Sequence, residues 1–531
     1  MERDHGPETS GTQMGPVAGR RIVVFADGTG SAFRQQESNV WRLYSLLLKH
    51  PGDSDWPQIA RYIPGVGTSS VALIRMLDGA TGFGVPANVR KLYRFLCWNW
   101  RPGDEIFLFG FSRGSFTVRT LAGMLRFQGL MPREIDGRTV SEAEMARNSM
   151  GAWYAYRAAT APLMQDGRLA MLPHIAAGRW LRDRLIAAKR RSLGQRTHDE
   201  VVAAMPEERQ AGAVRVRYMG VFDTVEAYGF PFEFLRVVWS WAIWPITFRN
   251  TQCAGIVDRA DHPLSLDDER LTFHPLRFDQ SHAGTPEAPT VIREPWFAGA
   301  HSDVGGGYPD DAVAMDALDW IASAARDEGL EWDEPELQRL VASGYPQALI
   351  NDSRGGFKVG YRYDPRPKAG GPQHGGTPVL DASVLEKMRI GAEGYAPLFL
   401  PEGFRVCSHP GGWDAAAPTD LVRDPAEEAA VAQLVQRRRL GNRALMLLAL
   451  VAALWPVAAA LVEAGPGAAA SRLLWLAGQA LTLDVWALLQ AYLPFWKPLL
   501  ALGVVAAVLW VDGEATRGRI RDTALRVWRR P

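Results

Sequence analysis

The stretch IFLFGFSRGSF, residues 106–116, constrains the fold more tightly than any other part of the chain. Ile106–Phe109 is a short continuous apolar run, as a strand buried on both faces should be, and residues 115–128 place apolar positions at helical spacing. Between them, Gly110-Phe111-Ser112-Arg113-Gly114 fits G-x-S-x-G, the pattern of a nucleophile elbow. That turn is so sharp that side chains at positions 110 and 114 would collide with the flanking strand and helix. The bare pentapeptide is weak evidence in a chain with 52 glycines, and a plain turn serine is the alternative. Its setting, directly after a strand and directly before a helix, favours Ser112 as a nucleophile.

The same punctuation recurs along the chain. RIVVFADGTG is apolar from Ile22 to Phe25 and breaks at Asp27, Gly28 and Gly30, while NVRKLYRFLCWNW (88–100) reads as a helix that RPGD (101–104) stops. VRVRYMGVFDTV (214–225) is a further strand with Asp223 just beyond it. In TVIREPWFAGAHSDVGGGY (290–308) an extended segment ends at His301 and runs into three glycines. Strand, helix, strand, sharp turn and helix predict an α/β fold with a mostly parallel sheet covered on both faces. Residues 133–213, rich in Arg, Ala and Glu, read as a helical insertion, and 364–378 as a Pro/Gly-rich loop.

A serine hydroxyl is a poor nucleophile at neutral pH and needs a base, itself oriented by a carboxylate. In folds with this elbow the order along the chain is serine, acid, histidine. Ser112, Asp223 and His301 follow that order, each at an apparent strand exit. Asp303, two residues from His301, is the alternative acid, or else a cap for the amides of the glycine loop. His262, His274 and His282 compete for the base, with surface or locally bonded roles as the plainer expectation. Oxyanion donors are expected from the Arg113 amide at the helix start and from the DGTG loop, at Gly28 and Thr29, where a simple strand-ending turn is the alternative. Neither a Walker A sequence nor G-x-G-x-x-G occurs at that loop, so no nucleotide site is expected there, and this chemistry requires no metal or organic cofactor.

A formal charge of +1, from 59 basic and 58 acidic residues, leaves no global footprint for nucleic acid. Cys97, Cys253 and Cys407 are far apart, which argues against a disulfide framework or a cysteine zinc site. Residues 1–20 read as a polar tail without a secretory h-region. Residues 21–430 read as the catalytic domain and 431–531 as a membrane anchor. ALMLLALVAALWPVAAALV (444–462) carries no charge over 19 residues, enough to cross a hydrocarbon core of roughly 30 Å. A second span is expected near 490–511, with Lys497 inside it. Arg437, Arg438, Arg439 and Arg443 precede the first span, and six arginines from Arg517 to Arg530 follow the second. The positive-inside bias puts both flanks in the cytoplasm; a buried hairpin of a soluble protein is the alternative. FPFEFLRVVWSWAIWPITF (230–248), after the expected acid, reads as a lid or interfacial segment, or equally as a core helix.

YIPGVGT (62–68), NVRKLY (88–93), PGDEIFLFGFSRGSFTVRTLAG (102–123), VFDTV (221–225), HPLSLDDER (262–270) and WFAGAHSDVGGGY (296–308) together resemble the type VI secretion phospholipase effector family, whose catalytic domain is an α/β-hydrolase. The resemblance covers about residues 20–310. It implies hydrolysis of phospholipid esters by Ser112, Asp223 and His301, and with the two spans a multi-pass protein of a bacterial inner membrane with its catalytic domain in the cytoplasm. Two features depart from the family: Glu226 follows DTV where a small residue is common, and the C-terminal spans are not a general family trait. The expected partners are a phospholipid or other acyl ester and a lipid membrane, with no nucleic acid. A small soluble ester or thioester, or a catalytically silent binding module, are the competing functions.

Overall fold

The computed structural model describes residues 19–28, 37–49, 56–65, 84–160, 173–225, 255–281, 290–355, 361–366, 376–391, 394–398, 400, 403–408, 412–416, 422–482 and 484–529. Thr29, Glu226, His282, Cys253 and the aromatic segment 230–248 lie outside them.

Six parallel strands form the first sheet: β1 (Arg21–Ala26), β2 (Gln58–Ile63), β3 (Glu105–Phe111), β4 (Val216–Phe222), β5 (Val257–Asp261) and β7 (Val291–Arg293), in the spatial order β2-β1-β3-β4-β5-β7. The chain continues from β5 through His262 and Pro263 into β6 (Leu264–Ser265), and from β7 through Glu294 into β8 (Pro295–Phe297). These two lead into a second sheet with β9 (Val379–Asp381), β10 (Arg405–Ser408) and β11 (Gly412–Ala416), in the order β11-β10-β9-β8-β6. Among the described residues, its β10–β11 pair is antiparallel and the others are parallel.

Helices α1 (Asn39–Leu46), α2 (Gly84–Asn99), α3 (Arg113–Gln128) and α7 (Ala314–Asp327) cover the first sheet, and α4 (Glu142–Ala159) packs on α2 and α3. Its apolar runs have no polar alternation because both faces are buried. Ile22, Val24, Ile106 and Leu108 join the core under α2, α3 and α4, whereas Val23, Phe25, Phe107 and Phe109 join the core under α1 and α7. The expected insertion is helical among its described residues apart from a two-stranded hairpin at Glu134–Thr139, with α5 (Pro173–Ser192) exposing Trp180, Leu181 and Leu185. Met145, Ala152, Trp153 and Tyr156 of α4 are continuous with the sheet core, so this segment is a layer of the domain.

The helix expected from 444 begins earlier. α8 (Pro425–Thr482) is kinked at Gly465, where φ is +82°. After α9 (Val485–Tyr492) and a 3-10 turn at Leu493–Phe495, α10 (Trp496–Val527) returns against α8. Among the described residues, these two arms are long and apolar enough to cross a membrane. Val431 and Val435 of α8 and Ile520, Ala524 and Val527 of α10 are buried against Tyr363 at the base of the hairpin. Farther out, Val462, Leu474, Trp486, Val504 and Val508 are exposed, so the apolar part of the hairpin is not buried in the protein's own core.

Candidate active site

The in-register pairing of β1, β3 and β4 sets Ala26 beside Gly110 and Phe111 beside Phe222, so the chain leaves these three strands at the same sheet edge. Asp27, Ser112 and Asp223 are the first residues beyond those strands. Carboxyl ends of parallel strands are where α/β sheets gather binding groups, because the backbone there is released from the ladder.

Ser112 has φ +56° and ψ −120°, a conformation costly for a residue with a Cβ, and its amide donates to Phe222 O at 3.1 Å. The elbow glycines have a steric reason. A Cβ on Gly114 would lie 1.9 Å from Ala26 O, and one on Gly110 would lie 2.6 Å from the Ser115 backbone. Gly114→Ala is therefore expected to destabilise the fold by on the order of 3 kcal/mol. Gly178→Ala, on an exposed helix with open space around it, should be neutral or slightly stabilising, and urea denaturation of both variants checks the contrast.

Asp223 is fully buried at φ +37°. Its Oδ2 lies 2.5 Å from His301 Nδ1, and the Ser265 amide donates to Oδ1 at 3.0 Å. Arg366 forks onto both oxygens, Nη1 to Oδ1 at 2.7 Å and Nη2 to Oδ2 at 2.6 Å. Among the described residues, this guanidinium also donates to Ser265 O and Phe273 O, each at 2.6 Å. Burial alone would raise the Asp223 carboxyl, but Arg366 and His301 outweigh it and hold it well below the usual carboxylate range.

An ionised carboxylate can only accept, so Nδ1 of His301 carries the proton and Nε2 keeps its lone pair. Nε2 is buried and has no hydrogen-bond partner among the described residues. Burial lowers the His301 pKa below its ordinary value, with Asp223 opposing. The imidazole packs between Phe111, at 4.7 Å between ring centroids, and Phe273, at 5.0 Å. It starts the short helix α6 (His301–Gly305), where a Cβ on Gly305 would fall 2.0 Å from the Phe111 ring. That glycine lets the residue before Ser112 sit directly on the histidine helix. Phe111 thus links the two, Ser112 following it in the chain and His301 packing on its ring, but no hydrogen bond joins Ser112 Oγ to Nε2 here.

Asp303 has a different environment. It accepts the amides of Ala300 at 2.8 Å and Asn351 at 3.2 Å, and the Asn351 side chain at 2.7 Å. Burial pushes its carboxyl up to about 6. His262 is not a surface histidine: it is fully buried, its Nδ1 2.8 Å from Glu294, and its Nε2 accepts the Thr224 amide at 2.9 Å. It braces the turn after Asp223. His274 Nε2 bonds Asp364 O at 2.9 Å. Gly28 adjoins the elbow, since a Cβ on it would lie 3.3 Å from Ser112 Cβ, although its amide donates to Asp27 Oδ1 at 2.6 Å. Arg113 is the first residue of α3, which puts its amide at the helix N-terminus. No group of three or more metal-ligating side chains occurs among the described residues.

Residues 20–324 match the catalytic domain of the type VI secretion system phospholipase effectors, Tle1-like. The chain belongs to that family. An uncharacterised protein of Saccharomyces cerevisiae is 28% identical over 280 residues, which is 49% of this chain and 33% of the yeast protein. A crystal structure of an uncharacterised Pseudomonas aeruginosa protein aligns over 80% of this chain and 59% of its own at 15% identity, with a TM-score of 0.31. The structure of the Tle1 effector bound to the VgrG spike of the type 6 secretion system aligns over 58% of this chain and 56% of that one at 18% identity, with a TM-score of 0.26. The chain spans less than two thirds of each of these proteins, and at such TM-scores neither superposition bears on its fold or function.

Arg366 lies beyond the family match and was not legible in the sequence, where it falls inside the Pro/Gly-rich segment 364–378. A lone arginine in a loop, one of 59 basic residues, carries no motif, and only its burial against a carboxylate distinguishes it.

Proposed function

We propose that this chain is an α/β-hydrolase whose Ser112, His301 and Asp223 cleave acyl esters of membrane phospholipids. The observation that carries the reading is the strained Ser112 elbow beside a buried histidine whose Nδ1 is held by an ionised aspartate and whose Nε2 is unpartnered. Ser112 Oγ attacks the ester carbonyl while His301 Nε2 takes its proton; the imidazolium then protonates the departing alcohol, and water releases the acyl group by the same route. Asp223 keeps the tautomer and stabilises the charged ring. Serine and histidine come within hydrogen-bond reach as substrate binds, a tightening common in such sites. The developing oxyanion is met by the Arg113 amide, with the loop after β1 as the second source of donors once the Gly28 amide leaves Asp27 Oδ1. Asp303 remains the lesser candidate for the acid, because its hydrogen bonds go to Ala300 and Asn351.

Membership of a phospholipase effector family supports the lipid substrate, and the exposed apolar hairpin supports a membrane anchor. The hairpin crosses the bilayer twice, with the arginine-rich flanks and the catalytic domain in the cytoplasm. Protease added outside intact cells should spare the catalytic domain; digestion there would overturn this topology.

The test is lipid product analysis with phospholipid vesicles against a monomeric short-chain ester, each with a Ser112→Ala control. Serine-dependent fatty acid release from vesicles is expected to exceed turnover of the monomeric ester. The reverse preference would move the substrate to a small soluble ester or thioester. No labelling of Ser112 by a fluorophosphonate would make the fold a silent binding module. The pH profile has a defined sign: catalysis needs neutral His301, so kcat/KM should hold as pH falls until the lowered His301 pKa is crossed. The acid limb should therefore lie below about 6.5.

A further inference from the structure

The segment Tyr361–Arg366 lies outside the family match and belongs to neither large sheet, yet it touches both the hairpin and the acid beside His301. At the hairpin end, Tyr363 is fully buried among Val431, Val435, Ile520, Ala524 and Val527. Its amide donates to Asn442 Oδ1 of α8 at 2.7 Å, and the Arg438 guanidinium lies 4.3 Å from its ring centroid. Asp364 pairs with Arg439 at 2.5 Å, and Arg438 with Glu269 at 3.1 Å. Along its other edge the segment pairs with residues 269–271, through Asp364 N to Glu269 O at 2.9 Å and Leu271 N to Arg362 O at 3.0 Å. Two residues past Asp364, Arg366 clasps both oxygens of Asp223.

We propose that Arg366 is a positioning residue for the hydrolase and that the base of the hairpin, through Asn442, Arg438 and Arg439, holds it on Asp223, so that full activity requires the docked hairpin. This rests on the Ser112-His301-Asp223 reading above. The physical reason is that a fork onto a carboxylate works only in one geometry, and the backbone carrying Arg366 is clamped between the 269–271 edge and α8. With α8 displaced, Tyr363 loses its apolar seat and its amide loses its acceptor. The fork then slackens, and Asp223 retains His301 and Ser265 alone.

Among the described residues, the charged groups facing His301 are Asp223 after β4 and Asp268 and Arg270 after β6, with Arg366 sharing Asp223 Oδ2 with it and Asp303 two residues along its own helix. Asp268 and Arg270 are paired with each other at 2.6 Å, and Asp268 also accepts the His301 amide at 3.2 Å. Removing the Arg366 charge leaves Asp223 more basic and the imidazolium better stabilised. His301 would then keep its proton to higher pH, and the acid limb of the rate profile would move up.

The experiment compares kcat, KM and pH profiles of the full-length protein in phospholipid vesicles for wild type, Arg366→Met, Arg366→Lys, Asn442→Ala and Arg437→Ala, with thermal unfolding as the check on folding. Arg366→Met should lower kcat by about 10- to 100-fold with little change in KM, and shift the acid limb upward. Arg366→Lys should restore the limb but only part of the rate. Asn442→Ala, which touches no catalytic group, should show a smaller fall in kcat with a limb shift in the same direction. Arg437→Ala, whose partner is the exposed Asp512, should match wild type. Folded variants at positions 366 and 442 with wild-type kcat and profile would overturn this inference, as would a lost rate with an unmoved limb. If Arg366→Met does not fold, Arg366→Lys and Asn442→Ala decide. Wild-type protein without Ser112-dependent hydrolysis would instead overturn the hydrolase reading, a distinguishable result.

Discussion

Ser112→Ala is expected to abolish ester hydrolysis, with kcat lowered by about 10⁴-fold or more, while the folding stability stays within about 0.5 kcal/mol of wild type. The two halves of this expectation have separate causes. Loss of the oxygen removes the only atom that can form the acyl intermediate, and the remaining binding and oxyanion groups supply only residual catalysis. Stability is spared because the Ser112 hydroxyl makes no hydrogen bond among the described residues, so its removal orphans nothing, and alanine meets the same backbone demand at φ +56°. Ser115 provides an internal contrast. Its hydroxyl donates to Phe222 O at 2.9 Å and is fully buried, so Ser115→Ala should retain fluorophosphonate labelling at Ser112. Labelling and vesicle hydrolysis on the two variants check the assignment; substantial hydrolysis by Ser112→Ala would remove the serine mechanism.

Asp223→Asn should lose both activity and stability. An amide keeps the shape but offers one acceptor where Arg366 needs two, and turns an NH₂ toward either Arg366 or His301. Facing His301, that NH₂ selects the tautomer with the proton on Nε2, which cannot accept the serine proton. A fall in kcat of about 10⁴-fold is expected. Arg366 meanwhile stays buried without its counter-charge, and breaking such a pair from one side costs about 3 kcal/mol or more. Chemical denaturation and steady-state kinetics on the same preparation read both effects. Activity within tenfold of wild type would mean that Asp223 is not the orienting acid. The equivalent change Asp303→Asn should leave the rate nearly intact, because Asp303 bonds the amides of Ala300 and Asn351 rather than the imidazole.

Those contrasts separate what was legible in the chain from what was not. The strand Ile106–Phe109, the elbow and the helix after it are contiguous, and each obeys a local rule: apolar run, flanking glycines, helical spacing. The observed strand β3 and helix α3 meet at Ser112 accordingly. Asp223 and His301 obey the same rule as polar residues near strand exits, but the exits belong to different sheets: Asp223 directly follows β4 of the first, and His301 opens α6 after β8 of the second. They meet where β6 of the second sheet docks on the turn after β4, its Ser265 amide donating to Asp223. The three glycines after His301 could be read as a turn, but not as the seat for Phe111 that Gly305 provides, since the ring comes from a strand nearly 200 residues earlier.

The sequence by itself determined the α/β alternation, the elbow, the order of the three candidate catalytic residues and the two apolar arms, because periodicity and glycine spacing act between residues close along the chain. Tertiary structure alone decided that Arg366 clasps Asp223, that His262 and Glu294 brace the turn behind it, and that the arginines before the first apolar run include two ion-paired to Glu269 and Asp364. Those contacts join single polar residues from segments far apart, and no period or spacing marks them. They form because burying a charge or an amide is unfavourable until a partner arrives, and the fold chooses which partner does.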